Sequence, residues 1–258
     1  MTTRILMATG VAAMLVFSSC KKDKPGNPTP NNPDNVTKKL KKVTKTEEEI
    51  VTVYNLSYDA ANRLQSYKSA DNSEYIQFSY DAAGNLKAVE EREDNEFKKI
   101  YNYTYQNNIP VSATFKNWEL TAGEPDALVE DDKLTYTVTN NQVTKIKLEM
   151  LQAEATVDLN LTYSNGNLSK VVTEGANIYT ANFTFGNKKP VYPKVTNWVL
   201  DQAGFSLMFA SKNELLSASF DFPGTEADEN TVTVYTYDGN GYVLTSNDGV
   251  TKMVFEYE

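Results

Sequence analysis

The chain has 258 residues, with 25 Lys+Arg against 34 Asp+Glu for a net charge of −9, no histidine, one cysteine, 16 tyrosines and 11 phenylalanines. Without histidine, no Ser–His–Asp triad, Cys–His pair or His-ligated zinc site can be built, and a lone cysteine closes no internal disulfide. The length suits one large all-β domain or two small ones, and the acidic balance argues against a nucleic-acid partner.

Residues 1–19 read as a signal peptide. Arg4 is followed by an apolar run from Ile5 to Phe17 that is too short for a membrane-spanning helix of about 20 residues. Ser18 and Ser19 precede Cys20, and Leu15–Cys20 resembles a bacterial lipobox. That resemblance implies lipidation of Cys20, and several acyl chains make a stable anchor where one is marginal. Residues 20–45 are expected as a disordered linker, with Pro25, Pro28, Pro30 and Pro33 followed by Lys38, Lys39, Lys41, Lys42 and Lys45. The first 45 residues carry +7 and the remainder −16. The basic stretch reads as a solvated tether or as a segment lying on anionic headgroups.

Residues 46–258 read as a single all-β repeat domain. A unit of an aromatic, an Asp/Asn/Gly turn and an aliphatic recurs. It appears as Tyr58–Leu64, Tyr80–Leu86, Tyr163–Leu168, Phe209–Leu215 and Tyr237–Val243, with looser copies at Tyr105–Val111, Val138–Val143 and Phe185–Val191. Asn and Gly tolerate the positive φ of tight hairpins, and Asp bonds its own backbone two residues on. The flanks alternate: Tyr101, Tyr103 and Tyr105 face one way, as do Val157, Leu159, Leu161 and Tyr163. Such segments predict half-buried antiparallel strands with a polar outer face.

A longer duplication lies on top. Residues 102–120 match 182–200 without a gap at eight of nineteen positions, including Asn117/Asn197, Trp118/Trp198 and Leu120/Leu200. The expected fold is an antiparallel β-hairpin meander curled into a barrel or shell with two pseudo-repeated halves.

The YDAAGNL-type turns resemble the YD repeats of bacterial cell-surface and Rhs-type proteins. With the lipobox and the KKDKPGNPTP tether, the chain resembles the uncharacterised YD-repeat lipoproteins of Bacteroidota, among them a domain-of-unknown-function family with a porin-like β fold. The resemblance implies a curled meander and no known activity.

Little in the sequence speaks for catalysis. A glycoside hydrolase needs only two facing carboxylates, and none of the 32 acidic residues of the body is singled out by spacing. Glu90–Glu96 and Glu130–Asp132 lack the pattern of a calcium loop and read as solvated hairpin loops. No cofactor or metal is expected. Trp118 and Trp198 are the candidate ligand contacts, since aromatic faces stack on sugars; the competing reading places both in the core. The expected protein is a lipid-anchored, non-enzymatic module of the outer membrane. Its partners would be the membrane and a glycan or envelope protein. A hydrolase and a transmembrane β-barrel are the alternatives.

Overall fold

The structure, a computed structural model, describes residues 38–258 apart from 177 and 203. The signal peptide, Cys20 and the Pro-rich tether lie outside the described residues. The strands are β1 (Leu40–Glu47), β2 (Ile50–Tyr58), β3 (Leu64–Ser69), β4 (Tyr75–Tyr80), β5 (Leu86–Glu93), β6 (Phe97–Gln106), β7 (Ile109–Glu119), β8 (Ala127–Thr139) and β9 (Gln142–Met150). They continue as β10 (Ala155–Ser164), β11 (Asn167–Gly175) and β12 (Thr180–Phe185), then a short helix α1 (Phe205–Phe209). The last five are β13 (Leu215–Asp221), β14 (Glu229–Val232), β15 (Val234–Tyr237), β16 (Val243–Asn247) and β17 (Thr251–Tyr257).

The pairings are antiparallel between strands consecutive in sequence, and β1 pairs with both β2 and β17. β14 and β15 are two parts of one strand broken at Thr233; the first part pairs with β13 and the second with β16. The meander therefore curls into a nearly closed barrel, as the alternating flanks predict.

β1 starts within the stretch read from sequence as linker. Lys41 is an extra residue in the β1–β17 ladder, because Lys42 pairs with Glu256 while Leu40 pairs with Tyr257. This bulge lets both Leu40 and Val43 be buried despite their odd spacing. Its lysines are tied to carboxylates of the wall: Lys42 to Glu256 at 2.5 Å and Lys45 to Glu47 at 2.6 Å.

The repeats build one rim. In seven hairpins a register shift falls at the same place, between a Ser or Thr and the residue after it: 57/58, 79/80, 104/105, 137/138, 162/163, 184/185 and 236/237. Each time the second strand carries one extra residue, and bulges at a rim add the twist that a curled sheet needs. The seam follows the same rule, with Tyr257 opposite Leu40 and the Lys39 and Glu258 backbones exchanging both hydrogen bonds at 2.9 Å. An eighth repeat is thus divided between the two ends of the barrel domain.

Two expectations change. The Phe185 and Phe209 units are not separate hairpins. Phe185 pairs with Leu215, so they are the two sides of one hairpin whose turn is replaced by residues 186–214. The duplicated segments also end differently. Residues 110–119 lie in β7, whereas 190–199 form no strand. Pro193 stands where the first copy has Ala113, a residue paired on both sides, and proline removes a ladder donor. Gly186 replaces Gln106, and a Cβ there would lie 2.1 Å from the Glu214 carboxylate.

The described residues of 186–214 fold into the barrel as a plug. Tyr192, Val195, Val199, Leu200, Phe205 and Phe209 are buried. Phe209 meets Phe78 of β4 at 5.0 Å between ring centroids, and Tyr192 meets Tyr67 of β3 at 5.8 Å and Phe255 of β17 at 6.2 Å. Phe205 lies 5.7 Å from Tyr101 of β6, and Tyr136 of β8 donates to the Leu200 carbonyl at 2.7 Å. Only a segment in the lumen can reach strands so far apart round the ring.

The opposite face of the wall is polar. It carries Lys145–Asp158 at 2.9 Å and Lys116–Asp131 at 3.0 Å. Hydroxyl pairs cross the strands at 2.6 Å: Ser57 with Ser66, Thr184 with Ser217 and Thr236 with Thr245.

Candidate functional site at the tyrosine rim

The Tyr-Asp turns repeat one geometry. The Asp59 carboxylate accepts from the Ala61 and Arg63 amides at 2.9 Å, and that of Asp238 accepts from Asn240 and Tyr242 at 2.9 Å. Asp81 accepts from the Asn85 amide at 2.8 Å and from its side chain at 2.9 Å. These bonds hold the Asp59 and Asp81 carboxyls below the usual range, and Asp238 is held there first by the Lys38 ammonium at 2.6 Å and then by its turn amides. The third residue after each Asp has positive φ: Asn62 at 61°, Gly84 at 89° and Gly241 at 79°. Where the turn shortens to Asn107-Asn108, Asn140-Asn141 or Asn165-Gly166, both residues have positive φ, as a type I′ hairpin demands.

In three units the tyrosine reaches back to its neighbour, whereas Tyr237 donates to the Glu214 carboxylate at 3.2 Å. Tyr58 donates to the Leu40 carbonyl at 2.6 Å, Tyr80 to Leu64 at 2.7 Å and Tyr163 to Val143 at 2.8 Å. Each acceptor is the aliphatic residue that closes the preceding unit, so the hydroxyls stitch repeat to repeat. The same rule assigns Tyr105 to the Leu86 carbonyl, but the Tyr105 hydroxyl is buried with no partner.

A cavity of about 250 Å³ opens there. Wall residues Arg63, Tyr80, Asn85, Leu86 and Tyr105 line it from one side, and Lys194–Trp198 of the plug from the other. Arg63 is engaged, with its guanidinium 2.7 Å from Asp59 and 4.2 Å above the Tyr80 ring centroid. Lys194 forms no ion pair among the described residues, and burial together with nearby Lys212 lowers its pKa. Trp198 is half-buried, with its amide on the Thr196 hydroxyl at 3.2 Å.

The two tryptophans do not form matching platforms. Trp118 sits on β7 near the other rim, opposite Lys98, whose ammonium is 6.0 Å from its ring. Trp198 belongs to the plug and lines the cavity. The divergence after Pro190 separates them.

A different set of carboxylates gathers toward the rim away from the tyrosine turns. Glu91 pairs with Lys99 on the inner face, and burial pushes its carboxyl up to about 7. Burial likewise raises Asp132 to about 6 and raises Asp201. Asp201 accepts from the Gly204 amide at 2.8 Å and the Ser206 amide at 3.3 Å, which ties the start of α1. The Glu90–Glu96 stretch forms the β5–β6 hairpin, turning at Asp94-Asn95. Glu130–Asp132, expected as a loop, lies within β8, where Asp131 faces Lys116 and Asp132 is buried opposite Phe115. Among the described residues no three Asp, Glu, His or Cys side chains are grouped to hold a metal ion.

Comparison with known proteins places this architecture. The family model for the RHS repeat matches residues 58–94, which hold the first two Tyr-Asp turns. No protein with a curated description matches the chain. Among solved structures it is similar to a porin-like protein from Bacteroides vulgatus, with a TM-score of 0.56 at 11% identity, covering 86% of this chain and 99% of that one. A porin-like protein from Bacteroides uniformis aligns with a TM-score of 0.49 at 13% identity over 85% of this chain and 98% of that one. The chain is thus a β-barrel that carries an RHS-repeat match over residues 58–94. Its fold is that of the Bacteroides vulgatus porin-like protein, in keeping with the porin-like fold that its YD turns imply.

Proposed function

We propose that the protein is a non-enzymatic binding module of the cell envelope, held at the outer membrane by lipid on Cys20, which offers the cavity at its tyrosine rim to a glycan. The observation that carries this reading is the filled lumen. With Phe205 and Phe209 packed against Tyr101 and Phe78, the barrel serves as a rigid frame for a rim site. The wall supports a domain standing in water. A membrane-spanning barrel turns an apolar band outward and polar residues inward, whereas here the ion pairs and hydroxyl ladders lie outside and the aromatics inside. The porin-like neighbour favours an envelope location. The raised carboxyls of Glu91, Asp132 and Asp201 fit the packing of wall against plug, so they serve the fold rather than hydrolysis.

Two experiments test the reading. Cys20→Ala should move the protein from the membrane to the soluble fraction of cells; retention in the membrane would refute the anchor. Trp198→Ala should remove glycan-induced thermal stabilisation while the variant still unfolds cooperatively. A ligand at 100 times its dissociation constant adds about 2.7 kcal/mol, which a melt readily detects.

A further inference from the structure

The two rims of the barrel differ sharply in charge. The connections at the rim away from the tyrosine turns hold twelve Asp and Glu and no Lys or Arg: two acids each at 48–49, 70–74, 94–96, 120–126 and 222–228, and one each at 151–154 and 248–250. At the tyrosine rim the turn acids are already engaged. Asp59, Asp81 and Asp238 accept from amides of their own turns. Asp59 also meets Arg63 at 2.7 Å and Asp238 meets Lys38 at 2.6 Å, while Glu258 lies 3.8 Å from Lys41. The plug then adds exposed charge of one sign. Its two acids, Asp201 and Glu214, are buried, whereas Lys188, Lys189, Lys194 and Lys212 are exposed.

None of these four lysines forms an ion pair among the described residues. They are spread across the mouth of the barrel. Lys188 lies against the 238–242 turn, where a Cβ on Gly241 would be 3.8 Å from its Cδ, and the Lys189 ammonium is 3.6 Å from the Tyr242 ring centroid. Lys212 lies against the 165–166 turn, its Cδ 3.4 Å from a Cβ placed on Gly166, and Lys194 lines the cavity beside Arg63 and Asn85. Like charges set out over one end of an otherwise acidic body give it a directed field, with a single face able to approach a negative surface.

The path of the chain leads to the same rim. Leu40 pairs with Tyr257 there, and the Lys38 amide donates to the Tyr242 hydroxyl at 3.0 Å, so residues 20–37 join the domain at this end. Lys42 and Lys45, which read from sequence as part of a basic tether, are paired within the wall. The basic surface lies instead on the plug, 140 and more residues further along the chain.

We propose that the tyrosine rim is a docking surface for an anionic lipid bilayer, with Lys188, Lys189, Lys194 and Lys212 on the headgroup phosphates and the acidic rim pointing away. The anchor holds the domain near the surface and the charge orients it, because basic residues are drawn to an anionic leaflet within about a Debye length and the opposite rim is repelled. The proposal rests on the lipid anchor of the reading above and not on its glycan. An electrostatic contact is reversible, so the cavity on the same rim receives a glycan when the domain stands off.

The test places the protein as isolated from cells in vesicles of phosphatidylcholine, alone or mixed with phosphatidylglycerol, each with a trace of lipid carrying a dansyl headgroup. Trp198 marks the tyrosine rim and Trp118 lies near the other, so energy transfer to dansyl is read from Trp198 in the Trp118→Phe variant and from Trp118 in the Trp198→Phe variant. In the anionic vesicles transfer from Trp198 should exceed that from Trp118 several-fold. The excess should vanish in phosphatidylcholine alone and at 1 M salt, where the screening length falls to about 3 Å. Replacing Lys188, Lys189, Lys194 and Lys212 together by Gln should remove it without lowering the melting temperature. Equal transfer from the two tryptophans in anionic vesicles would overturn the docking surface, a comparison that needs no lysine variant. An excess that survives the four substitutions would also overturn it and assign the attraction to the tether. Flotation separates the anchor from the docking. A protein that floats with phosphatidylcholine vesicles at 1 M salt carries the lipid. One that floats with anionic vesicles alone, and loses that in the four-lysine variant, keeps the docking surface and overturns the anchor.

Discussion

Tyr80 and Tyr105 hold the same place in successive repeats and should respond oppositely to loss of the hydroxyl. Tyr80→Phe removes a bond of 2.7 Å to the Leu64 carbonyl and should cost about 1 kcal/mol in denaturant unfolding. Tyr105→Phe removes a buried hydroxyl with no protein partner and should leave the apo protein unchanged or more stable. Equal losses in both variants would mean that Tyr105 is stitched like its neighbours. Glu91 makes a second prediction. Its carboxyl titrates near 7 in the barrel against 4.5 ordinarily. A raised folded pKa means that ionisation opposes folding. The penalty is full above about pH 7, shrinks as the pH falls through that window and is absent below about 4.5. Glu91→Gln should therefore raise the melting temperature at pH 8 and leave it unmoved at pH 4. An equal shift at both would contradict burial as the cause.

Among the elements, hairpins were legible in the sequence because turn chemistry is local. Asn-Asn, Asn-Gly and the Tyr-Asp pentads announce positive φ wherever they occur, and the flanking strands alternate. Two things were hidden. A bulge at Lys41 places Leu40 and Val43 on one face at a spacing that alternation does not recognise, so β1 read as linker. The plug was hidden because its buried residues keep neither a two-residue nor a sustained helical period. They are positioned by walls contributed from β3, β4, β6, β8 and β17, a non-local cause. The site shared that fate. Trp198 was visible as a candidate, but its partners Tyr105, Arg63 and Lys194 meet only once residues 186–214 enter the lumen. Proline at position 193 in a strand-like stretch was the available signal. If the plug is integral, Tyr136→Phe, which strands the buried Leu200 carbonyl, should cost about 1–3 kcal/mol. Phe209→Ala, at a fully buried site, should cost about 3–5 kcal/mol. Changes within 0.5 kcal/mol in guanidinium melts would show that the segment does not pack there.

At the scale of the molecule, eight repeats of one bulged hairpin close a ring, and the eighth is shared between Leu40 and Tyr257. The ring turns charge and hydroxyls outward and aromatics inward, and its lumen is occupied by its own β12–β13 connection. Native-state hydrogen exchange of the lipid-free chain, without detergent, tests this arrangement most directly. The reporters are the Val195 amide, bonded to the Phe209 carbonyl at 2.8 Å, and the Ala210 amide, bonded to Ser206 at 2.9 Å. The account predicts a chain that stays in solution, with these two amides exchanging as slowly as those of the β6–β7 and β8–β9 ladders, in one cooperative unit. Fast exchange at Val195 and Ala210 beside a protected wall, or a chain that precipitates until detergent is added, would contradict it.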